Sequence, residues 1–156
     1  MKSRKLTLYS LVTALYLVLS LGFAEFSFGP LQFRLAELLN LLAFYNPGFI
    51  LPITLGVALS NFFSPFGLVD VVVGSLHTYL SLKAMTYVKK DWLAALFPAL
   101  FAFIIGGEIV MVSQVKLSFI VITLQIMTSE LVLGLISVLI YRSDFMQRLI
   151  KEYLRT

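Results

Sequence analysis

The sequence contains no cysteine and a single histidine among its 156 residues. Without cysteine the chain has no disulfides, no thiolate metal sites and no cysteine nucleophile. Charged residues are also scarce at 13%, while 60% of the residues are hydrophobic. This composition leaves too little polar surface to coat a soluble globule, so the sequence predicts an integral membrane protein.

The length limits how many domains the chain can form. A transmembrane helix needs about 20 residues to cross roughly 30 Å of hydrocarbon, so the chain can hold several spans but no second domain. We expect residues 1–156 to form a single transmembrane domain. The basic N-terminus and the apolar run after it lack a convincing small-residue cleavage site before Glu25. We therefore interpret this stretch as a retained first helix.

Charges, prolines and glycines divide the chain into six apolar segments. The segments are 6–24, 35–46, 48–63, 68–88, 92–111 and 117–141. They predict an all-α membrane protein, a compact bundle of six transmembrane helices.

Basic residues are concentrated before the first segment, between the fourth and fifth, and after the sixth. They are Lys2, Arg4, Lys5, Lys89, Lys90, Arg142, Arg148, Lys151 and Arg155. With six spans all three clusters fall on one side, which the positive-inside rule makes cytoplasmic. Both termini are then cytoplasmic. Because these residues form no stripe interleaved with aromatics, the net charge of +4 does not indicate nucleic-acid binding.

Polar and charged residues also occur inside or beside the apolar segments, most of them near the predicted external ends. They are Arg34, Glu37, Asn61, Asp70, Glu108 and Glu130. Glu130 is the deepest, roughly 20 Å inside the sixth segment at 1.5 Å per residue. A carboxylate at bilayer depth is costly unless it is paired, solvated or turned toward a cavity. We therefore predict an external polar pocket with Glu130 at its floor.

Simpler interpretations stay open for several of these residues. Arg34 and Glu37 lie at i and i+3 and could form only a helix-surface ion pair. Asp70 could serve only to start a helix, and Glu25 could lie at a solvated helix end. His77 lies on the same helix face as Asp70, and a packing histidine hydrogen-bonded between helices is the favoured interpretation.

Four stretches of the sequence carry a more specific pattern. They are FRLAELLNLL at 33–42, GVALSN at 56–61, GLVDVVVGSL at 67–76 and GGE at 106–108. In these stretches the chain resembles the QueT family, the substrate-binding S components of energy-coupling-factor (ECF) transporters that take up queuosine precursors. The resemblance extends over almost the whole chain.

The resemblance implies a multi-pass protein of a prokaryotic plasma membrane with an external ligand site. It also implies partners: a shared membrane scaffold subunit and two cytoplasmic ATPase subunits. ATP is then used by the partners, and this chain, which has no Walker A glycine loop, needs no cofactor of its own. Ser10 and Ala14 have small-xxx-small spacing on the first helix and are the candidate residues for docking to the scaffold.

The ligand class implied by the resemblance, a 7-deazaguanine such as 7-aminomethyl-7-deazaguanine or queuine, gives the buried acids a role. Its N1–H and N2–H₂ groups are adjacent donors that a carboxylate can accept together, and its O6 can accept from an amide or a guanidinium. An aminomethyl substituent adds a cation that a second carboxylate would neutralise. We assign substrate binding to Arg34, Glu37, Asn61, Asp70, Glu108 and Glu130.

Other functions were weighed against this one. The chain could bind another small vitamin-like ligand as an S component, or it could be a proton-coupled transporter that uses Glu130, although it shows no internal repeat. It could also be an intramembrane hydrolase built around His77. Against the hydrolase, the chain has one histidine, no His-x-x-x-His motif and no nucleophile elbow. We predict that the chain is not an enzyme and holds neither catalytic residues nor a metal.

Overall fold

The computed structural model describes residues 2–29, 32–113 and 118–154, and within them it contains helices and no β-strand. The prediction of an all-α protein is confirmed. Short 3-10 helices at Leu35–Leu39 and Pro47–Phe49 precede α3 and α4, and a π-helical turn at Ile150–Leu154 follows α10. The α-helices are α1 (Lys2–Gly22), α2 (Ala24–Ser27), α3 (Leu42–Tyr45), α4 (Ile50–Asn61), α5 (Leu68–Met85), α6 (Asp91–Ala94), α7 (Phe97–Leu100), α8 (Phe103–Val112), α9 (Phe119–Tyr141) and α10 (Asp144–Leu149).

Three helical segments of the described chain are long and apolar enough to cross a membrane: Ser3–Gly22, Asp91–Val112 and Phe119–Tyr141. The last of these, α9, extends about 34 Å at 1.5 Å per residue, enough for a hydrocarbon layer of about 30 Å. Large apolar side chains cover the outside of the bundle, and Leu51 and Leu139 are 70% and 73% exposed. Such a surface is stable in lipid and not in water, which supports a membrane protein.

The second and third predicted spans are shorter apolar helices, Leu35–Tyr45 and Pro47–Asn61. Asn46 separates them, and its side-chain oxygen accepts a hydrogen bond from the Gly48 N–H at 2.9 Å. The first of the two helices extends only about 16 Å at the rise of an α-helix. Because a helix of that length does not cross the hydrocarbon by itself, the count of six spans stays a prediction.

The fifth apolar segment is divided into α6, α7 and α8 and is not one straight helix. Pro98 has no N–H to donate to the Ala94 carbonyl, which interrupts the helix between α6 and α7. A second tight turn follows, where the Phe101 N–H is shared between the carbonyls of Phe97 and Pro98 at 3.1 Å each. The Ala102 N–H donates to the Ala99 carbonyl at 3.2 Å and not to that of Pro98, so the Pro98 carbonyl can also accept from a side chain of another helix.

Two groups of buried apolar side chains hold the helices together. In the larger group α1 packs on α4 and α4 packs on α5, with Tyr16, Phe49 and Ile53 fully buried. In the smaller group α8 packs on α9 through Ile105 and Ile122. The polar residues of interest lie between these two apolar groups.

The basic clusters meet at one end of the bundle. The Arg4 guanidinium lies 4.7 Å from the centroid of the Tyr153 ring, which joins the start of α1 to the C-terminal turn. Arg142 at the end of α9 forms an ion pair of 2.6 Å with Asp91 at the start of α6. This arrangement agrees with an even number of crossings between the clusters. Arg155 lies outside the described residues.

Candidate functional site

A small cavity inside the bundle is lined almost entirely by polar and charged groups. Its volume, measured as the space open to the centre of a water molecule, is about 20 Å³. This is room for roughly one or two waters. Its walls come from the chain around the first 3-10 helix and from α5, α8 and α9. The lining residues are Gln32, Arg34, Glu37, Asp70, Gly74, His77, Thr78, Ile105 and Glu130.

Glu37 is fixed on both of its carboxylate oxygens. The Tyr16 hydroxyl donates to Oε1 at 2.6 Å, and the Asn40 side-chain amide donates to Oε2. In the described chain no ion pair within 4 Å joins Arg34 to Glu37. The helix-surface ion pair that their spacing allowed is therefore absent, and Glu37 is a buried acceptor held by two neutral donors.

Asp70 is also held in place, by a residue that does not line the cavity. It is 3% exposed, and the Asn61 side-chain amide donates to its backbone carbonyl at 2.9 Å and to its Oδ1 at 3.3 Å. Gly74 makes this approach possible, because a Cβ there would lie 2.3 Å from Asn61 Nδ2. The residue that caps α5 is Gly67, at φ 57°. Asp70 is therefore more than a helix-start residue, and Asn61 contacts Asp70 without lining the cavity.

Glu130 lies on α9 between the polar cavity and a second, smaller one. The second cavity has about 10 Å³, and Glu37 and Glu130 line both. Asn40 and Ser137 contribute to the second cavity only. The two glutamates therefore separate the polar cavity from the second cavity, whose lining also includes apolar residues.

Glu108 does not line the polar cavity, although Ile105, one turn before it on α8, does. The side chain is buried, and neither of its carboxylate oxygens has a hydrogen-bond partner among the described residues. A buried carboxyl without a partner is unfavourable unless a donor reaches it. Glu108 is thus an acceptor available just beyond the cavity wall.

His77 lines the cavity as well as packing between helices. Its Nε2 lies 3.1 Å from the Pro98 carbonyl oxygen of α7, as expected for a histidine bonded between helices. On α5, Asp70, Gly74, His77 and Thr78 lie at positions i, i+4, i+7 and i+8, which share one face of a helix. This spacing was the signal by which His77 and Thr78 could have been assigned to the site.

Three other residues of the site have no comparable signal in the sequence. Tyr16 contacts Glu37 only because α1 and the first 3-10 helix are packed together, whereas Asn40 bonds to Glu37 from three residues along the same helical stretch. Gln32 lines the cavity with a left-handed backbone, φ 46°, which is uncommon for a residue other than glycine. The positions of Tyr16 and Gln32 at the site cannot be read from local periodicity, and Asn40 has only its i, i+3 spacing from Glu37.

The cavity contains more carboxyl groups than guanidinium groups. Three carboxyl side chains, Glu37, Asp70 and Glu130, line it with one guanidinium, that of Arg34. Arg34 is itself buried and lies 5.2 Å from the centroid of the Phe28 ring. Among the described residues no group of three or more histidines and acids is arranged to hold a metal ion. The arrangement suits a ligand that is rich in N–H donors or carries a positive charge.

A second and much larger space lies on the outside of the bundle between α1 and α4. This apolar groove has a volume of about 800 Å³, and no charged side chain lines it. Ser10 and Ala14 lie in its wall with Thr13, whose hydroxyl donates to the Pro52 carbonyl at 2.8 Å. The groove is therefore a surface for apolar contact and not a site for a polar ligand.

The chain has recognisable relatives among known proteins. The chain matches the QueT transporter family over residues 6–143. It is 40% identical over 118 residues to the "Queuosine precursor transporter QueT" of Lactococcus lactis subsp. cremoris (strain MG1363), across 70% of this chain and 69% of that protein. No solved structure matches it. Both matches are to transporters and not to enzymes.

Proposed function

Because the chain belongs to the QueT transporter family, we propose that it captures a queuosine precursor, a 7-deazaguanine, from outside the cell. The observation that carries this proposal is the buried polar cavity, where Glu37, Asp70 and Glu130 face a single cation, Arg34. Burying three carboxyl groups with one guanidinium is unfavourable unless a ligand supplies donors or charge. A 7-deazaguanine supplies donors, and its aminomethyl form supplies a positive charge as well.

The donors of the base and the acceptors of the cavity correspond in type. An ionised carboxylate oxygen has two lone pairs, so Glu37 can accept from a ligand while it keeps the bonds from Tyr16 and Asn40. The N1–H and N2–H₂ groups of the base can meet one carboxylate together, and the Arg34 guanidinium can donate to O6. The ammonium of an aminomethyl substituent pairs with a second acid, for which Asp70, Glu108 and Glu130 are the candidates.

Binding requires the cavity to widen. Its volume of about 20 Å³ is far below the roughly 300 Å³ at which small-molecule sites begin. The walls around α5 and the first 3-10 helix must therefore separate to admit a planar base. A site that closes tightly on its ligand excludes water, which strengthens each hydrogen bond to the carboxylates.

Transport requires partners, and we propose that the chain is the S component of an ECF importer. The apolar groove beside Ser10 and Ala14 is the docking face for a scaffold helix, because its lack of charged groups suits close packing in lipid. Two cytoplasmic ATPase subunits bound to that scaffold would supply the energy from ATP. This chain then binds the ligand and needs no cofactor.

We propose that six spans place both termini in the cytoplasm of a prokaryotic cell, as the basic clusters indicate. Cysteines introduced at Ser3 and Ser143 should be protected from a membrane-impermeant thiol reagent in intact cells, and a cysteine at Ser113 should react. The chain has no native cysteine to interfere. Labelling of the first two positions would overturn the orientation and the external pocket with it.

Ligand capture can be tested directly on the purified protein. Mass spectrometry of the molecule carried through purification should identify a 7-deazaguanine, and calorimetry with 7-aminomethyl-7-deazaguanine should give saturable binding. An analogue without the 2-amino group should bind at least about ten-fold more weakly, because one carboxylate bond is lost. Equal affinity for both compounds would contradict the assignment.

Uptake measurements distinguish the two kinds of transporter. An S component should import the base only in cells that also contain the scaffold and the ATPase subunits. Uptake without the ATPases would favour a proton-coupled transporter that uses Glu130.

A further inference from the structure

Tyr16 is a fully buried tyrosine whose role no motif in the sequence explains. It is 0% exposed and lies on the stripe of α1 formed by Val12, Tyr16 and Ser20, all of which are buried. A phenolic hydroxyl inside a bundle needs a partner. Its partner is Glu37 Oε1 at 2.6 Å, on the wall of the polar cavity.

The two donors to Glu37 differ in origin. Asn40 is three residues from Glu37 and belongs to the same helical stretch, so its bond moves with the glutamate. Tyr16 belongs to α1, a separate helix. The orientation of the Glu37 carboxylate therefore depends on where α1 lies.

The position of α1 is in turn set by α4. A Cβ at Gly56 would lie 2.8 Å from the Tyr16 Cβ, so this close approach needs glycine at that position. The Thr13 hydroxyl adds a second link by donating to the Pro52 carbonyl at 2.8 Å. Gly56 and Thr13 together fix the level at which the Tyr16 ring enters the bundle.

We propose that Tyr16 is a positioning residue that holds the Glu37 carboxylate ready for the ligand and makes ligand affinity depend on the α1–α4 contact. The inference rests on the proposed capture of a 7-deazaguanine. It adds a link between two regions of the molecule, because α1 also carries Ser10, Thr13 and Ala14 on its neighbouring face in the apolar groove. A contact in the groove that moves α1 away from α4 would withdraw Tyr16 from Glu37.

A double-mutant cycle separates positioning from a general structural role. Calorimetry with 7-aminomethyl-7-deazaguanine would be carried out on the intact protein, Tyr16→Phe, Glu37→Gln and the double variant. We expect Tyr16→Phe to lose about ten-fold in affinity, the effect of one hydrogen bond to a charged acceptor. The double variant should bind within about two-fold of Glu37→Gln alone, because the carboxylate that Tyr16 positions is then absent.

Tyr9→Phe is the matched control. Tyr9 lies two turns earlier on α1 and packs edge-on against Phe49 at 5.2 Å between ring centroids. Its replacement should leave affinity unchanged, whereas a loss equal to that of Tyr16→Phe would overturn the specific role of Tyr16.

A second pair of variants perturbs the same contact from α4 without touching a polar group. Gly56→Ala forces Tyr16 to shift and should weaken binding by about the same factor as Tyr16→Phe, with no further loss when the two are combined. Gly22→Ala is its control, because a Cβ there meets no atom within 4 Å. These variants also test the inference if Tyr16→Phe does not fold.

The possible results lead to different conclusions. If the losses of Tyr16→Phe and Glu37→Gln multiply, or if Tyr16→Phe binds normally, Tyr16 does not act through Glu37 and the inference fails while ligand capture stands. If the unmodified protein does not bind the base at all, the proposed function and this inference both fail.

Discussion

The apolar groove between α1 and α4 and the polar cavity inside the bundle differ in size and in chemistry. The groove has about 800 Å³ and no charged lining residue, whereas the cavity has about 20 Å³ and is lined by Arg34, Glu37, Asp70 and Glu130. If volume were the only criterion, the groove would be assigned as the ligand site. A polar base would find almost no hydrogen-bond partners there, since the groove offers only a few hydroxyl groups.

The difference shows that size and chemistry identify different functions in a membrane protein. An open apolar groove on a lipid-facing surface suits another helix, because close packing drives helix association in lipid. A cavity with several acids is unfavourable in a membrane unless those acids are used. The smaller space is therefore the better candidate for the ligand, and the larger one for a partner.

The largest expected effect separates the two regions completely. Ala14→Trp fills the groove wall with a bulky ring and should abolish uptake by the assembled transporter while ligand binding to the isolated protein stays normal. Uptake of radiolabelled base in cells and calorimetry on the purified protein measure the two properties.

Leu15→Trp is the matched control for this change, because Leu15 is on the same helix, is exposed and does not line the groove. It should affect neither property. If Ala14→Trp removed binding and uptake equally, Ala14 would support the α1–α4 contact that positions Tyr16, or the fold as a whole, and not a docking surface.

The next effect concerns the acids of the polar cavity. Isosteric amides at Glu37, Asp70, Glu108 and Glu130 keep the size of each side chain and remove its charge. At least two of the four should lose about ten-fold to over a hundred-fold in affinity for a 7-deazaguanine, as expected when a buried donor or charge is left unpaired. Calorimetry measures the affinity, and thermal unfolding checks the fold.

Glu25→Gln provides the comparison for these variants, because Glu25 in α2 is exposed. It should bind the base normally. Normal binding by all four cavity variants would mean that the acids are structural, and the ligand class would lose its physical support.

The smallest effect is expected outside the groove and the polar cavity, at the ion pair of Arg142 and Asp91. The pair is bidentate at 2.6 and 2.7 Å, but the Arg142 side chain is 55% exposed. Ion pairs in contact with water contribute little to stability. Arg142→Gln should shift the midpoint of thermal unfolding by a few degrees at most and leave binding and uptake unchanged.

Arg148→Gln, another exposed arginine near the end of the chain, is the reference for that measurement. A loss of binding in Arg142→Gln alone would show that the end of the bundle with the basic clusters communicates with the cavity. The groove and the polar cavity would then not be the only regions that affect function.

The residues of the site divide into those that periodicity reveals and those that it does not. Asp70, His77 and Thr78 share a face of α5, and that face can be read from their spacing. Asn61 was assigned to the ligand from its residue type, yet its amide donates to Asp70. A short-range pattern does not show which neighbour a side-chain amide will meet, and the assignment of Asn61 to the ligand stays a prediction.

Short-range patterns were also insufficient to predict where the helices are interrupted. A hydropathy pattern suggested one span at 92–111, but Pro98 interrupts it, and the carbonyl oxygen of Pro98 itself lies 3.1 Å from His77 Nε2. The proline was visible in the sequence, whereas its consequence depends on which helix lies opposite. Hydropathy averages over a segment and does not register one missing backbone hydrogen bond.

Composition and the cost of burying charge are properties of residues and short segments, so the amino-acid sequence was sufficient to predict a helical membrane protein whose acids need a polar cavity. The packing of the helices placed the Tyr16 hydroxyl on Glu37, left the cavity small, and put Ser10 and Ala14 in the groove beside α4. Those results depend on distances between helices, which follow from how complementary surfaces such as Gly56 and Tyr16 pack.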